Sequence, residues 1–79
     1  METKKFEALM FLIVPEIIRL ITETYSWDEL KAIDMFYNSQ VYELLEQEDT
    51  KLWHLSPLTL FNMFNEEQKN GSFIFPEEV

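Results

Sequence analysis

The chain has few side chains that could carry out chemistry. His54 is its single histidine, and no serine or aspartate stands at a spacing from it that is typical of a catalytic triad. Cysteine is absent, which excludes disulfides, thiolate nucleophiles and cysteine-ligated metals. We interpret His54, between Trp53 and Leu55, as a histidine at the edge of a packed aromatic patch, and we expect no enzyme activity.

Four pairs of adjacent carboxylates are a second candidate for chemistry, because acidic side chains can share a divalent cation. The pairs are Asp28-Glu29, Glu48-Asp49, Glu66-Glu67 and Glu77-Glu78. None has the alternating oxygen ligands and the turn glycine of a calcium loop, and adjacent residues on a helix point apart. We therefore expect solvated charges here, with no metal site and no cofactor.

The charge balance bears on partners. With 15 acidic and 6 basic residues, the formal net charge is -9 at pH 7, which repels phosphates and anionic lipids. Residues 26–47 have the outline of a DNA-reading helix-turn-helix, but Lys31 is their only basic residue. The sequence therefore predicts no nucleic-acid partner. In the alternative function, the acidic side chains imitate the phosphates of nucleic acid, and the protein inhibits a basic DNA- or RNA-binding protein. Surplus acidic residues more often serve solubility.

Length and hydrophobicity indicate one small folded domain over residues 1–79. The chain is 47% hydrophobic and 15% aromatic, too apolar for a disordered segment. The apolar stretch at residues 8–14 is far shorter than the roughly 20 residues of a membrane span, and no cleavage site of a signal peptide follows it. We expect a cytoplasmic protein without a membrane partner.

The strongest helical pattern covers residues 5–25. Apolar residues recur there at i, i+3, i+4 and i+7. They are Phe6, Leu9, Met10, Ile13, Ile17, Leu20 and Ile21. Pro15 removes one backbone donor, so the pattern predicts a kink or a break into two helices near Val14.

Three serines predict the starts of the next helices. Ser26, with Glu29 three residues later, forms a capping box and predicts a helix from Trp27, and Ser39 and Ser56 cap helices that begin at Gln40 and Pro57. Gly71 is placed to end the last helix in the left-handed conformation. The predicted buried side chains are Leu30, Ile33, Phe36 and Tyr37, then Val41, Leu44 and Leu45, then Leu60, Phe61, Met63 and Phe64.

The fold class that follows is mainly α, a small domain of four to five helices. Residues 51–55 alternate weakly and form either a short strand or an extended crossing over the helices. Residues 73–75 are apolar and could pair with them as a short two-stranded element.

The candidate site is a protein-binding surface. Phe11, Val14 and Ile18 form a second apolar stripe on the first helix, which we expect to serve association. The alternative is that the fourth helix and the tail cover both stripes in a monomer. Trp53 is expected to lie largely buried beside the fourth helix, and it joins His54 as a further partner-binding candidate.

Three segments resemble a small uncharacterised bacterial family. They are FYNSQVYELL at residues 36–45, TKLWHLSP at residues 50–57 and GSFIFPEE at residues 71–78. The resemblance implies a small intracellular bacterial protein, with family members encoded beside toxin-like genes, and it assigns no activity to any residue. The predicted function is a small acidic protein-protein interaction module, an accessory or antitoxin-like partner of another protein or of itself as a homodimer.

Overall fold

The computed structural model describes residues 3–71, and these residues form four α-helices with no strand. The helices are α1 (Thr3–Tyr25), α2 (Glu29–Tyr37), α3 (Gln40–Leu45) and α4 (Pro57–Asn70). Two short 3₁₀ turns, Glu48–Thr50 and Leu52–His54, connect α3 to α4. The mainly α class is therefore confirmed. Within the described residues, no helix is both long enough and apolar enough to cross a membrane.

Helix α1 runs without interruption through Pro15. Of the predicted kink or break near Val14, the break into two helices is wrong, because the packing of α2 and α4 against α1 outweighs the loss of one backbone hydrogen bond. Pro15 is exposed to solvent, where water can hydrate the carbonyl group that lost its donor.

Helix α2 begins two residues later than the capping box predicts. The carboxylate of Asp28 accepts a hydrogen bond from the backbone N–H of Lys31 at 2.8 Å, so Asp28 is the N-cap. Ser26 instead adopts a left-handed conformation, with φ of 58°. A residue in this conformation turns the chain between α1 and α2, so its side chain cannot cap the helix.

The buried face of α2 also differs from the predicted one. Ala32 and Phe36 are fully buried, whereas Leu30 is 79% exposed and Tyr37 48% exposed. The predicted burial of Leu30 and Tyr37 is wrong, since the side of α2 that packs inward is centred on the pair at i and i+4.

The other two serine caps are confirmed. Ser39 Oγ accepts from the N–H of Tyr42 at 3.1 Å, and Ser56 Oγ accepts from the N–H of Thr59 at 3.1 Å. Gly71 has φ of 79° and donates its N–H to the carbonyl oxygen of Glu67 at 2.7 Å. These contacts fix the starts of α3 and α4 and the end of α4.

Residues 51–55 form neither of the two predicted alternatives, a short strand or an extended crossing. Lys51 has φ of 62°, and the chain turns there into the second 3₁₀ turn, where Leu52 is buried against the core. The proposed partner strand, residues 73–75, lies outside the described residues.

The core is formed where α1, α2, α3 and α4 meet. Phe36 and Phe64 pack edge-to-face with ring centroids 5.8 Å apart, which joins α2 to α4. The hydroxyl of Tyr25 hydrogen-bonds Asn65 Oδ1, which joins the end of α1 to α4. The buried apolar residues are Ile13, Val14, Ile17, Ile18, Ile21, Ala32, Phe36, Val41, Leu45, Leu52, Leu60, Phe61, Met63 and Phe64.

Candidate protein-binding surface

The three residues of the predicted stripe do not share one environment. Phe11 is 80% exposed, but Val14 and Ile18 are only 9% and 6% exposed. Ile33 and Tyr37 of α2 line the same groove as Val14 and Ile18, so α2 is the element that covers them. Of the three residues, Phe11 alone is exposed in the described part of the chain, and the role of the stripe in association stays a prediction.

Trp53 and His54 lie elsewhere, in the second 3₁₀ turn. Trp53 is partly buried against the core, and its indole N–H donates to the carbonyl oxygen of Glu48 at 2.7 Å. His54 is exposed, its ring stands edge-on to Trp53, and its Nδ1 contacts the carbonyl oxygen of Lys51. Neither residue lines the grooves beside Phe11.

The largest exposed apolar residues of α1 are clustered in its N-terminal half. All eight residues from 8 to 15 are apolar, and they surround the helix on every side. Phe11 and Leu12 are 80% and 70% exposed, and Ala8 and Pro15 are also exposed. The run was visible in the sequence, but the importance of Leu12 was missed because it belongs to neither predicted stripe.

Helix α2 extends this surface. Leu30 and Tyr37 are seven residues apart and therefore lie on one side of the helix. Tyr37 lines the grooves beside Phe11 together with Val14 and Pro15 of α1. We call Phe11, Leu12, Leu30 and Tyr37 the apolar face; Phe11 and Tyr37 line the grooves, whereas Leu12 and Leu30 are exposed outside them. Sequence patterning assigned Leu30 and Tyr37 to the core, so their part in this face could not be read from their spacing.

Two open grooves run along α1 and meet at Val14, Pro15 and Tyr37. The first, between α1 and α2, reaches Arg19 and Thr22 at its far end and has Glu29 on its α2 side. The second, of about 530 Å³, lies between the N-terminal half of α1 and the corner where α2 meets α3. Because they share three lining residues, the two grooves lie end to end along α1.

Aromatic rings form one wall of the second groove. Tyr37 and Tyr42 are stacked with centroids 4.5 Å apart and ring planes 7° apart. Tyr42 also packs edge-on against the buried ring of Phe36 at 5.5 Å, which anchors the pair to the core. Burial raises the pKa of Tyr42, and the neighbouring Tyr37 and Glu46 raise it further. The stacked pair is therefore anchored to the core through Phe36, with the carboxylate of Glu46 lining the same groove.

Carboxylates predominate over cations along the grooves. Glu7 and Glu46 line the second groove, and Glu29 lines the first. Arg19, the one basic residue of these linings, is already engaged by Glu16 at 2.7 Å and by Glu23 at 3.1 Å. These hydrogen bonds, to Glu16 first and then to Glu23, raise the pKa of Arg19.

The arrangement provides shape, apolar area and negative charge. Among residues 3–71, no group of three histidine, cysteine or acidic side chains could hold a metal ion. No protein-family model, curated protein or solved structure matches the chain. The resemblance to a bacterial family thus stays a prediction.

Proposed function

We propose that the chain is a small acidic interaction module that binds another protein through the apolar face. The role is that of an accessory or antitoxin-like partner, and it needs no catalysis. The resemblance to an intracellular bacterial family supports a cytoplasmic setting.

One observation carries this proposal. Phe11 and Leu12 are the most exposed large side chains of a helix whose neighbouring residues form the core. Burying a side chain of this size in a complex contributes about 1.5 to 3 kcal/mol, and this contribution is unused in the isolated chain. An isolated exposed leucine is ordinary, but four large apolar residues on two adjacent helices are typical of a binding surface.

The test is site-specific cross-linking. A photoreactive amino acid at position 12 should cross-link to a discrete protein in a lysate of the source cells, whereas one at position 58 should not. Leu58, which is 57% exposed on α4, is the matched control because it is an equally apolar surface position on a different helix.

A charge-introducing variant completes the test. Phe11→Glu with Leu12→Glu should stay helical by circular dichroism, because both residues are exposed. Since this variant changes position 12, the photoreactive amino acid is placed at position 37 instead, and the double variant should abolish the cross-link to the partner from there. Leu58→Glu should leave that cross-link intact. If the double variant unfolds, or if position 12 cross-links no more than position 58, the apolar face is not a binding surface.

The nucleic-acid mimic remains the second candidate because of the net charge of -9. A mimic would bind through many exposed carboxylates, so its affinity would fall steeply with salt. Binding through the apolar face would depend much less on salt and would be lost in the double variant.

A further inference from the structure

We propose that the occupant of the apolar face is an amphipathic helix of a partner protein that presents lysine or arginine beside its apolar residues. This inference rests on the proposed function and specifies the chemistry of the partner. It is carried by three properties of the two grooves: their length, their aromatic wall and their carboxylates.

The shape suits a helix. Placed end to end, the linings of the two grooves follow α1 from Thr3 to Thr22, which corresponds to about 28 Å at 1.5 Å per residue. A depression of this length accepts about five turns of a helix, which would place residues at i, i+3, i+4 and i+7 against the apolar face. The exposed rings of Phe11 and Tyr37 on either side give such a helix two aromatic anchors.

The negative charge of the second groove favours a positively charged partner. Glu7 and Glu46 line the groove that contains Phe11, Tyr37 and Tyr42. Within residues 3–71, neither carboxylate forms an ion pair with a basic side chain. A guanidinium or ammonium group placed there would meet two carboxylates and the faces of aromatic rings, both of which attract cations.

The same charges disfavour a second copy of this chain. A two-fold dimer places the same patch on both subunits, so Glu7, Glu46 and Glu29 would approach an equally acidic surface. The net charge of -9 adds a general repulsion between copies. A basic helix relieves both effects.

The experiment compares two synthetic helical peptides of about 16 residues. They share one leucine face and differ only in the flanking positions, which are arginine in one peptide and glutamate in the other. By fluorescence anisotropy with the full chain, the basic peptide should bind about ten-fold or more tightly than the acidic one at low salt. Amide chemical shifts should move at Phe11, Tyr37 and Tyr42.

Matched variants separate local charge from net charge. Glu7→Gln with Glu46→Gln should weaken the basic peptide about five-fold and reduce its salt dependence. Glu43→Gln with Asp49→Asn changes the net charge equally at exposed positions outside the grooves, and it should have little effect. Equal weakening by the two double variants, or equal binding of the two peptides, would overturn the inference.

Other occupants give distinct results. A dimer in light scattering that Phe11→Glu with Leu12→Glu converts to a monomer would show a second copy on the face. An intrachain cross-link from position 12 to residues 72–79 would show the chain's own tail there, and either result overturns the inference.

If a partner protein cross-links at position 12 while the basic peptide fails to bind, the proposed function stands and this inference fails. If both experiments are negative, both fail.

Discussion

The two halves of α1 carry similar side chains in different surroundings. Ile17 and Ile21 in the C-terminal half are fully buried, whereas Phe11 and Leu12 in the N-terminal half are 80% and 70% exposed. The two halves also differ on their outer side, because residues 8–15 are apolar all round the helix, whereas Glu16, Arg19 and Glu23 face solvent in the C-terminal half. Helices α2 and α4 are too few and too short to enclose the whole circumference of a 23-residue helix. The apolar residues that they cover stabilise the domain, and Phe11 and Leu12 are left available for binding.

The largest expected effect separates the two halves directly. Ile17→Ala should lower the free energy of unfolding by about 2 to 5 kcal/mol, because it removes a fully buried side chain and leaves a cavity. Leu12→Ala, on the same helix, should change it by less than about 0.5 kcal/mol. Urea unfolding followed by circular dichroism measures both. Comparable losses for the two variants would show that Leu12 is part of the core.

The second prediction concerns the contact between α4 and the start of α3. The carboxylate of Glu67 on α4 accepts from the N–H groups of Gln40 at 2.8 Å and Val41 at 3.2 Å, and so satisfies two donors at the start of α3. Glu67→Ala should cost about 1 to 2 kcal/mol, since a helix of six residues depends on such contacts. Glu67→Gln, which keeps one acceptor oxygen, should cost less, and Glu43→Ala is the exposed control. A Glu67→Ala variant as stable as the control would contradict the role of this contact.

The turn that joins α1 to α2 gives the third prediction. Asp28→Ala should destabilise the protein by about 1 kcal/mol, because the carboxylate caps α2. Ser26→Gly should be neutral or stabilising, because glycine adopts the left-handed conformation without steric cost. The capping box read from the sequence predicts the loss at Ser26 instead, so thermal melts of the two variants decide between the two assignments.

The smallest expected effect is the pH dependence of the free energy of unfolding that arises from two tyrosines. Burial raises the pKa of Tyr25, at the C-terminal end of α1, and it is the first cause that raises the pKa of Tyr42, beside the second groove. A folded-state pKa above the unfolded value of about 10 means that the native protein holds the phenolic proton more tightly. This contribution to stability is fully present below about pH 10 and is lost as the pH rises through the folded pKa.

The measurement is the free energy of unfolding between pH 9 and pH 11. It should fall with pH in the native sequence, and Tyr25→Phe and Tyr42→Phe should each reduce the slope. An unchanged slope in the double variant would assign the loss of stability to other groups.

Much of the fold could be predicted from local patterns, and the errors have a common cause. Ser39, Ser56 and Gly71 were placed correctly because capping depends on residues within one turn. Ser26 offered an equally good local signal, but Asp28 competed for the same helix start, and only the geometry of the turn decides between two nearby caps.

The candidate site was harder to predict because exposure depends on which elements cover a helix. Val14 and Phe11 belong to one stripe in the sequence, and only the position of α2 places one of them in the core and the other outside. Leu30 and Tyr37 repeat at a helical spacing that fits a buried stripe equally well. Their exposure follows from the orientation of α2 about its own axis, which depends on Phe36 and Ala32 packing inward.

The position of α4 in the chain has a consequence for biosynthesis. Leu60 and Phe64 supply two fully buried side chains of the core, and Glu67 completes the start of α3, so the first three helices lack essential contacts until this last helix has been made. During translation, the isoleucines of α1 therefore remain uncovered until α4 has been made and can pack against them. A nascent chain stalled before residue 60 should be sensitive to proteases and should bind chaperones, and it should lose both properties once α4 is free to pack.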